Sequence, residues 1–204
     1  AKLPSEGVPY PLMVYAGMLM WQFFSSTVSS GSESLLGNSN LISKVYFPRL
    51  IIPSTSMTVS LTDFLISAVV FIPLFFWYGT IPSWKIVFLP CFILLTAILS
   101  LGVTYFISSL NVKYRDFRYV IPFALQVGMY ISPVGFTTAI VPERWQLLYS
   151  LNPLVGIIDG VRWSLFGTPL NLFSLLISIA ISLFFLLCGY FMFRRMEREF
   201  ADFI

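Results

Sequence analysis

The chain is organised around the segment Asn38-Ser-Asn-Leu-Ile-Ser-Lys-Val-Tyr-Phe-Pro-Arg-Leu-Ile-Ile-Pro53. Lys44 and Arg49 are two isolated cations in it, and long apolar runs lie on either side. A cationic connector interrupted by proline is typical of a cytoplasmic joint between two membrane spans. We therefore expect a membrane protein that meets a soluble partner at this joint.

Composition excludes a soluble domain. Hydrophobic residues make up 57% of the 204-residue chain and charged residues only 10%, whereas soluble domains carry about 25% charged residues. Apolar runs of roughly 20 residues, long enough to cross a bilayer, recur along the sequence. The chain has no histidine, and Cys91 and Cys188 lie in apolar runs without metal-ligand spacing. We expect an all-α integral membrane protein without a metal site.

Five apolar segments are predicted to span the membrane. The first ends in a segment rich in Ser and Thr, residues 25–32, in which hydropathy declines. We call this segment the slope, and it can continue as helix. The fourth contains Pro122 and Pro133, which predict a bent helix because proline removes a backbone donor. The five segments cover approximately residues 10–27, 51–78, 84–110, 119–139 and 172–193.

Residues 142–169 differ from these spans, because each half of the segment is too short to cross a bilayer. Both halves are amphipathic, and they meet at Asn152-Pro153. This pattern indicates a re-entrant or interfacial helical hairpin. Its charged residues are expected to form exposed salt bridges on the outer face, with a role in gating as the alternative, and they are Glu143, Arg144, Asp159 and Arg162.

The placement of cations predicts the orientation. Because consecutive spans end on opposite sides, the connectors fall into two sets. One set contains eight of the 12 Lys and Arg residues, and the positive-inside rule places it in the cytoplasm. The hairpin then faces outward. The larger set is Lys44, Arg49, Lys113, Arg115, Arg118, Arg194, Arg195 and Arg198, and the smaller set is Lys2, Lys85, Arg144 and Arg162.

Four separated motifs occur in an order that matches one family. They are Val8-Pro-Tyr-Pro-Leu-Met-Val-Tyr-Ala-Gly17, Asn40-Leu-Ile-Ser-Lys-Val-Tyr-Phe-Pro-Arg-Leu-Ile-Ile-Pro53, Leu110-Asn-Val-Lys-Tyr-Arg-Asp-Phe-Arg118, and Leu151-Asn-Pro-Leu154 with its continuation to Arg162. Over essentially its whole length the chain resembles the type-2 ABC permeases that export polysaccharides, namely O-antigen, capsule and teichoic-acid exporters. The tail Glu197-Arg-Glu-Phe-Ala-Asp202 is similar to theirs as well.

The resemblance implies a multi-pass permease of the bacterial cytoplasmic (inner) membrane, with residues 1–204 as a single transmembrane domain. It implies a permease homodimer docked to separate nucleotide-binding ATPase subunits, which would hold ATP and Mg, so that this chain binds no cofactor. The substrate would be an undecaprenyl-linked glycan, the surroundings membrane lipid, and no nucleic acid would be involved. An interface helix and a first span are expected before Ala1, which would give six spans in the full-length protein.

Two groups of polar residues are candidate contact sites. From spacing alone, Lys44, Tyr46, Phe47 and Arg49 are equally typical of a positive-inside anchor with interfacial aromatic residues. The resemblance implies instead that a short helix near Asn40 to Tyr46 inserts into the ATPase, with Asn40, Ser43, Lys44, Tyr46, Phe47 and Arg49 as docking residues. For the cations of the next cytoplasmic connector, two interpretations stay open: a solvated turn, or contact with the ATPase or with the pyrophosphate of a lipid carrier. These cations are Lys113, Arg115 and Arg118.

Aromatic residues are the candidates for a channel lining. The chain contains 21 Phe, 10 Tyr and 5 Trp residues. Aromatic rings stack on sugar rings, although most aromatic residues in spans face lipid or neighbouring helices. The candidates are Trp21, Phe24, Tyr105, Tyr130 and Phe136.

Asp63 lies inside the second span, where an acid costs roughly 2.5–3.5 kcal/mol on insertion scales. Ser60 and Thr62 are near enough in sequence to hydrogen-bond it. Pairing with another helix, a wet channel face and a proton site all stay open. Two other functions stay open too: a type-2 permease for a drug or lipid, and an ATP-independent proton-coupled carrier that uses Asp63. The sequence contains no Walker motif or GxSxG motif, so we expect a transport subunit rather than an enzyme.

Overall fold

The computed structural model describes residues 7–38, 47–114 and 116–197. Within these ranges the regular structure is helical, without strands, so the all-α prediction is confirmed for the described part. Short 3-10 turns at Trp84–Phe88 and Thr138–Ile140 precede two of the helices. The α-helices are α1 (Tyr10–Gly37), α2 (Ile51–Ala68), α3 (Phe71–Tyr78), α4 (Leu89–Lys113), α5 (Phe117–Ile131), α6 (Glu143–Ser150), α7 (Pro153–Phe166) and α8 (Leu172–Met196).

Three helical segments are long and apolar enough to cross a membrane. They are Ile51–Tyr78, Trp84–Lys113 and Leu172–Met196, and they coincide with the second, third and fifth predicted spans. The first of them consists of α2 and α3. Gly79 ends α3 in a left-handed conformation, with φ of 60°, which glycine adopts without a steric penalty.

Helix α1 is longer than the predicted first span. It runs for 28 residues, because the Ser- and Thr-rich slope stays helical. Hydroxyl groups of this slope donate to carbonyl oxygens of the preceding turn, as Thr27 does to Phe23 at 2.8 Å and Ser32 to Ser29 at 2.8 Å. Such bonds satisfy the hydroxyls inside the helix itself. The polar content of the slope keeps α1 below the hydropathy of the three segments above.

The fourth predicted span is not one bent helix over 119–139. Helix α5 has 15 residues and contains Pro122, but it ends at Ile131. The residue before a proline avoids the helical conformation, and Ser132, just before Pro133, is extended, with φ of −83° and ψ of 151°. The prediction is therefore wrong for the C-terminal part of this segment. A helix of 15 residues rises about 22 Å, less than a hydrocarbon core of about 30 Å.

Helix α7 lies at the centre of the fold. Nearly all of its side chains are buried, and it packs against α1, α4 and α8. Asn152 begins it, since its side chain accepts a hydrogen bond from the backbone N–H of Leu154 at 3.1 Å. Helix α6, by contrast, is mostly exposed. Two short helices meet at Asn152-Pro153, as predicted, but the second one is buried rather than amphipathic, and a re-entrant or interfacial hairpin stays a prediction.

Glycine residues close the helix crossings. An ideal Cβ atom on Gly102 of α4 would lie 2.4 Å from the backbone nitrogen of Leu186 in α8. A Cβ atom on Gly189 of α8 would lie 2.2 Å from the carbonyl oxygen of Gly102. In a membrane, helices associate through close packing of this kind because lipid tails are as apolar as the side chains. The α4–α8 crossing therefore depends on these two glycines.

We expect Gly102→Ala to lower the free energy of unfolding by about 1–3 kcal/mol, because the added methyl group meets backbone atoms of α8. Denaturant titration of the purified protein in detergent measures this change. Gly37→Ala is the matched control, since a Cβ atom on Gly37 meets nothing within 4 Å. Equal stability of the Gly102→Ala and Gly37→Ala proteins would contradict the packing described here.

Candidate functional site

The predicted coupling segment is only partly described. Asn40, Ser43, Lys44 and Tyr46 lie outside the described ranges. Phe47 lies inside them and packs against a small apolar cluster. The buried members of this cluster are Leu35 of α1, Ile52 of α2, Val112 of α4 and Phe193 of α8.

This cluster places three connectors at one end of the bundle. Leu35, Val112 and Phe193 lie near the C-terminal ends of their helices, and Ile52 lies at the start of α2. The described cations in and beside these connectors are therefore at the same end, which we call the cationic end; they are Arg49, Lys113, Arg118, Arg194 and Arg195. The orientation predicted from charge requires this arrangement.

Arg49 is held by the C-terminal end of α8. Its side chain is half-buried, and its guanidinium Nη1 donates to the backbone carbonyl oxygen of Glu197. A cation at this position also complements the negative end of the helix dipole. The connector is thus attached to α8 as well as to the Phe47 cluster, and a role of Arg49 in docking stays a prediction.

Two of the three candidate phosphate contacts are described. Lys113 and Arg118 are exposed, whereas Arg115 lies outside the described ranges. The Lys113 ammonium lies 6.0 Å from the ring centroid of Tyr114, and Arg118 Nη2 donates to the Tyr119 hydroxyl at 3.0 Å. Neither cation forms a salt bridge with a carboxylate in the described part of the chain. Both remain available to an external anion.

A groove of about 450 Å³ lies between α1, α4 and α5; we call it the α1–α5 groove. Its walls are almost entirely apolar. At one end lie Ser132 and Asn152, whose side chains are hydrogen-bonded at 3.0 Å. At the other end lie Leu110 and Phe117, which neighbour Lys113 and Arg118 in sequence. The groove therefore runs from a neutral polar end towards exposed cations.

The structure brings two of the predicted lining residues together. Trp21 and Phe24 both line the α1–α5 groove, with ring centroids 5.7 Å apart. Trp21 also contacts α5, because an ideal Cβ atom on Gly128 would lie 2.9 Å from its ring. Tyr130 is on the outer side of α5, with 75% of its surface exposed.

The other two predicted lining residues lie apart from the groove. The Tyr105 hydroxyl is hydrogen-bonded to the Ser54 hydroxyl at 2.7 Å, and its ring packs on Phe193. Phe136 follows α5, and its ring lies 6.2 Å from that of Tyr149. Tyr105 therefore joins helices, and Phe136 joins the segment after α5 to α6.

Asp63 is exposed on α2 and has no partner among the described residues. Its expected neighbours bond elsewhere. Ser60 accepts a hydrogen bond from the Ser26 hydroxyl at 2.8 Å, and Thr62 donates to the carbonyl oxygen of Thr58 at 3.0 Å. The apolar side chains of Val59 and Ile66 are exposed on either side of it. Its role stays open.

The prediction that Asp159 and Arg162 form an exposed salt bridge is wrong. Asp159 is 8% exposed and Arg162 only 2%, because α7 is buried on all sides. The Arg162 guanidinium donates to the carbonyl oxygens of Phe136 at 2.9 Å and Val134 at 3.0 Å. Its Nη1 atom lies 3.9 Å from an Asp159 carboxylate oxygen. The other Asp159 oxygen accepts a hydrogen bond from Thr138 at 2.8 Å.

Glu143 and Arg144 are the other two residues of the predicted salt-bridge group. Arg144 is exposed on α6, with its guanidinium 5.9 Å from the ring centroid of Trp145. The side chain of Glu143 lies outside the described part. The four charges thus do not act as one exposed set.

Tyr149 lies beside the buried pair. Burial raises the pKa of its hydroxyl well above the ordinary value, the Asp159 carboxylate raises it further, and Arg162 lowers it. The hydroxyl therefore stays protonated. Among the described residues, no cluster of three or more His, Cys, Asp or Glu side chains could hold a metal ion.

A sequence signal for the buried pair exists. The charges at 159 and 162 stand in a segment whose apolar residues surround the whole helix, and such a helix is buried rather than amphipathic. Gly156 and Gly160 in the same segment permit close packing, since Cβ atoms there would clash with α8 and with Phe92.

We expect Arg162→Met to lower the free energy of unfolding by about 3–5 kcal/mol, because it leaves the Asp159 carboxylate buried without its cation. Arg144→Met, which removes an exposed arginine near the same end of the bundle, is the matched control. Denaturant titration in detergent compares the two proteins. If both variants unfold like the wild type, the buried network does not hold the fold together.

Residues 3–166 match the sequence profile of the ABC-2 type transporter family. The chain is similar to the O-antigen export system permease protein RfbA of Myxococcus xanthus, with 26% identity over 160 residues, which are 77% of this chain and 62% of that protein. Two proteins of that name from Klebsiella pneumoniae are 25% and 26% identical over 95% of this chain and 75% of their own length.

The chain therefore spans between 62% and 75% of the length of the curated relatives it matches. The profile covers well over half of the chain, and it confirms the resemblance carried by the four motifs. The apolar helices agree with an integral membrane protein. This protein belongs to the ABC-2 type transporter family.

Proposed function

We propose that the chain is the membrane subunit of an ATP-driven exporter that moves lipid-linked polysaccharide, or a polyol-phosphate polymer, out across the bacterial cytoplasmic membrane. The family match supports a transporter permease, and the O-antigen export permeases among its relatives support the glycan substrate. In this proposal residues 1–204 are one transmembrane domain with an outward hairpin and five spans, the fourth of which contains the short helix α5, and two copies form the permease.

The observation that carries the substrate class is the chemistry of the α1–α5 groove. A lipid-linked glycan combines a long apolar chain with a phosphate group and a neutral, hydroxyl-rich polymer. The groove offers an apolar wall to the chain, and Lys113 and Arg118 are exposed near its end. Charge-assisted hydrogen bonds from such cations to phosphate are among the strong ones. Arg115 belongs to the same predicted set.

Helix α5 is the movable wall of this groove. Ile121 is its one buried residue, whereas α4 and α7 are buried along much of their length. Helices with few buried contacts open at low free-energy cost. A substrate that must enter and leave the groove can therefore displace α5 without disturbing the core.

The connector at the cationic end would transmit the force. The predicted ATPase contacts lie within residues 40–49, which include Phe47 and Arg49. Phe47 packs on the ends of α1, α2, α4 and α8. Arg49 donates a hydrogen bond to the C-terminal end of α8. A displacement of this connector by a nucleotide-binding subunit therefore acts on four helices at once. ATP and Mg would be bound by that subunit.

Co-purification tests the partner. The full-length permease is expected to co-purify with its ATPase, and Lys44→Glu is expected to lower the ATPase recovered by about tenfold, because charge reversal at a docking surface adds repulsion and removes an attractive contact. Arg144→Glu, with the same charge change at the opposite end, is the control. Arg49→Glu is less selective, since Arg49 also holds α8.

Failure of the wild-type permease to recover any ATPase contradicts the proposal. That result, together with transport that follows a pH gradient and is lost in Asp63→Asn, would favour the proton-coupled carrier. Equal loss of ATPase in Lys44→Glu and Arg144→Glu would place docking elsewhere.

Transport tests the substrate. Export of lipid-linked glycan into vesicles is expected to fall by about tenfold or more in a Lys113→Gln, Arg118→Gln double variant, because two charge-assisted contacts to phosphate are lost. Arg194→Gln with Arg195→Gln removes the same charge from the same end and is the control. Filling the groove with Ala124→Trp is expected to block export, and Val127→Trp, on the same helix but outside the groove lining, should not.

Two other outcomes would contradict the proposed substrate or the proposed transport route. If the wild type exports no glycan while Ala124→Trp blocks the transport of a small apolar compound by the permease, the permease carries a drug or lipid instead. If neither groove variant affects any substrate, the α1–α5 groove is not the transport route.

A further inference from the structure

A second apolar groove lies at the opposite end of the bundle, where α3 ends and α4 begins. It has a volume of about 610 Å³, and it shares no lining residue with the α1–α5 groove. Its walls come from α3, the turn at 79–82, the 3-10 turn before α4 and the end of α7. Its lining includes Ile72, Ile81, Ile86, Leu89 and Leu165.

The groove has a fixed cation at its edge. Lys85 precedes the lining residue Ile86 in the same 3-10 turn. Its ammonium lies 4.8 Å from the ring centroid of Trp163, and the Trp163 ring packs against Phe88 and Phe92. The backbone N–H of Ser83 donates to the carbonyl oxygen of Leu165 at 2.9 Å. The turn that carries Lys85 is therefore anchored to α7.

Lys85 has no anionic partner within the described part of the chain. The salt bridges there are Asp159–Arg162 and Arg194–Glu197. The face of an aromatic ring stabilises a cation but does not neutralise it. The groove edge thus carries an uncompensated positive charge beside an apolar recess.

Exposed tryptophans mark the depth of this site. Trp77 and Trp84 are 83% and 75% exposed, on either side of the turn between α3 and α4. Tryptophan favours the level of lipid headgroups. Lys85 therefore lies at headgroup level, and the apolar groove leads from it into the acyl-chain region.

We propose that this groove, which we call the Lys85 groove, binds an anionic phospholipid of the membrane. One acyl chain occupies the apolar recess, and the Lys85 ammonium contacts the phosphate. A zwitterionic lipid fits the recess equally well, but its own cationic group competes with Lys85 for the phosphate, so the selectivity comes from net headgroup charge. The leaflet that supplies the lipid depends on the orientation given under the proposed function. The binding of the lipid does not depend on that orientation.

Native mass spectrometry of the full-length permease tests this site. The protein is released from vesicles that contain equal amounts of phosphatidylglycerol and phosphatidylcholine. The wild type is expected to retain phosphatidylglycerol preferentially, and Lys85→Gln to retain about fivefold less of it, the effect of one cation near an anionic headgroup. Arg144→Gln is the matched control, because Arg144 also lies near an exposed tryptophan but does not border this groove.

A second pair of variants tests the recess. Ile72→Trp places bulk at an exposed lining position and is expected to lower retention of both lipids. Val59→Trp changes an exposed residue of α2 outside the lining and should leave retention unchanged. Thermal unfolding of each variant shows whether it has kept its fold.

Several results would overturn the proposal. They are equal retention of the two lipids by the wild type, an equal loss in Lys85→Gln and Arg144→Gln, or no loss in Ile72→Trp. Displacement of phosphatidylglycerol by a polyprenyl phosphate added at equal concentration would make this a carrier site instead. Because the measurement uses neither ATP nor glycan, it can fail or succeed independently of the export function.

Discussion

The fold depends on the hydrogen bonds and the ion pair that the buried Arg162 guanidinium forms. The guanidinium donates to the carbonyl oxygens of Val134 and Phe136, and it lies so close to α1 that a Cβ atom on Gly17 would be 3.1 Å from it. One side chain thus joins α7, the segment after α5 and α1. Burying a cation carries a large desolvation cost, which carbonyl oxygens and a carboxylate must offset together. The geometry around Arg162 supplies both.

Arg162 joins two parts of the molecule that differ in packing. One part is closely packed, and the other, α5, has few buried residues. Helices α1, α4, α7 and α8 are joined by close crossings at Gly31, Gly102, Gly156 and Gly189. Helix α5 is followed by the segment Ser132 to Phe136, which Arg162 holds, and Ile121 is its one buried residue. The described end of the connector contacts the packed part through Phe47 and Arg49.

Hydropathy alone was enough to locate the three most apolar segments, because the cost of exposing polar backbone in lipid forces such runs into helices. It was not enough for α5, whose end depends on the conformation of Ser132. It also failed for Asp159 and Arg162, because Arg162 donates to carbonyl oxygens 26 and 28 residues away in the chain and Asp159 accepts from the Thr138 hydroxyl, 21 residues away. Tyr105 shows the same limit, since its hydrogen-bond partner Ser54 is 51 residues distant. Trp21 and Phe24 could be predicted as neighbours, because a spacing of three places both on one helix face.

The shortness of α5 has a consequence for the membrane around it. Lipids beside α5 meet an apolar wall about 22 Å high, whereas lipids beside the 25-residue α4 meet one that covers the whole hydrocarbon core. Such hydrophobic mismatch is relieved by local thinning of the bilayer or by tilting of the helix. A thinner bilayer on this side shortens the path that a polar headgroup must travel through hydrocarbon. A change in the thickness of the host membrane therefore acts on α5, which forms one wall of the α1–α5 groove, and leaves the packed helices unchanged.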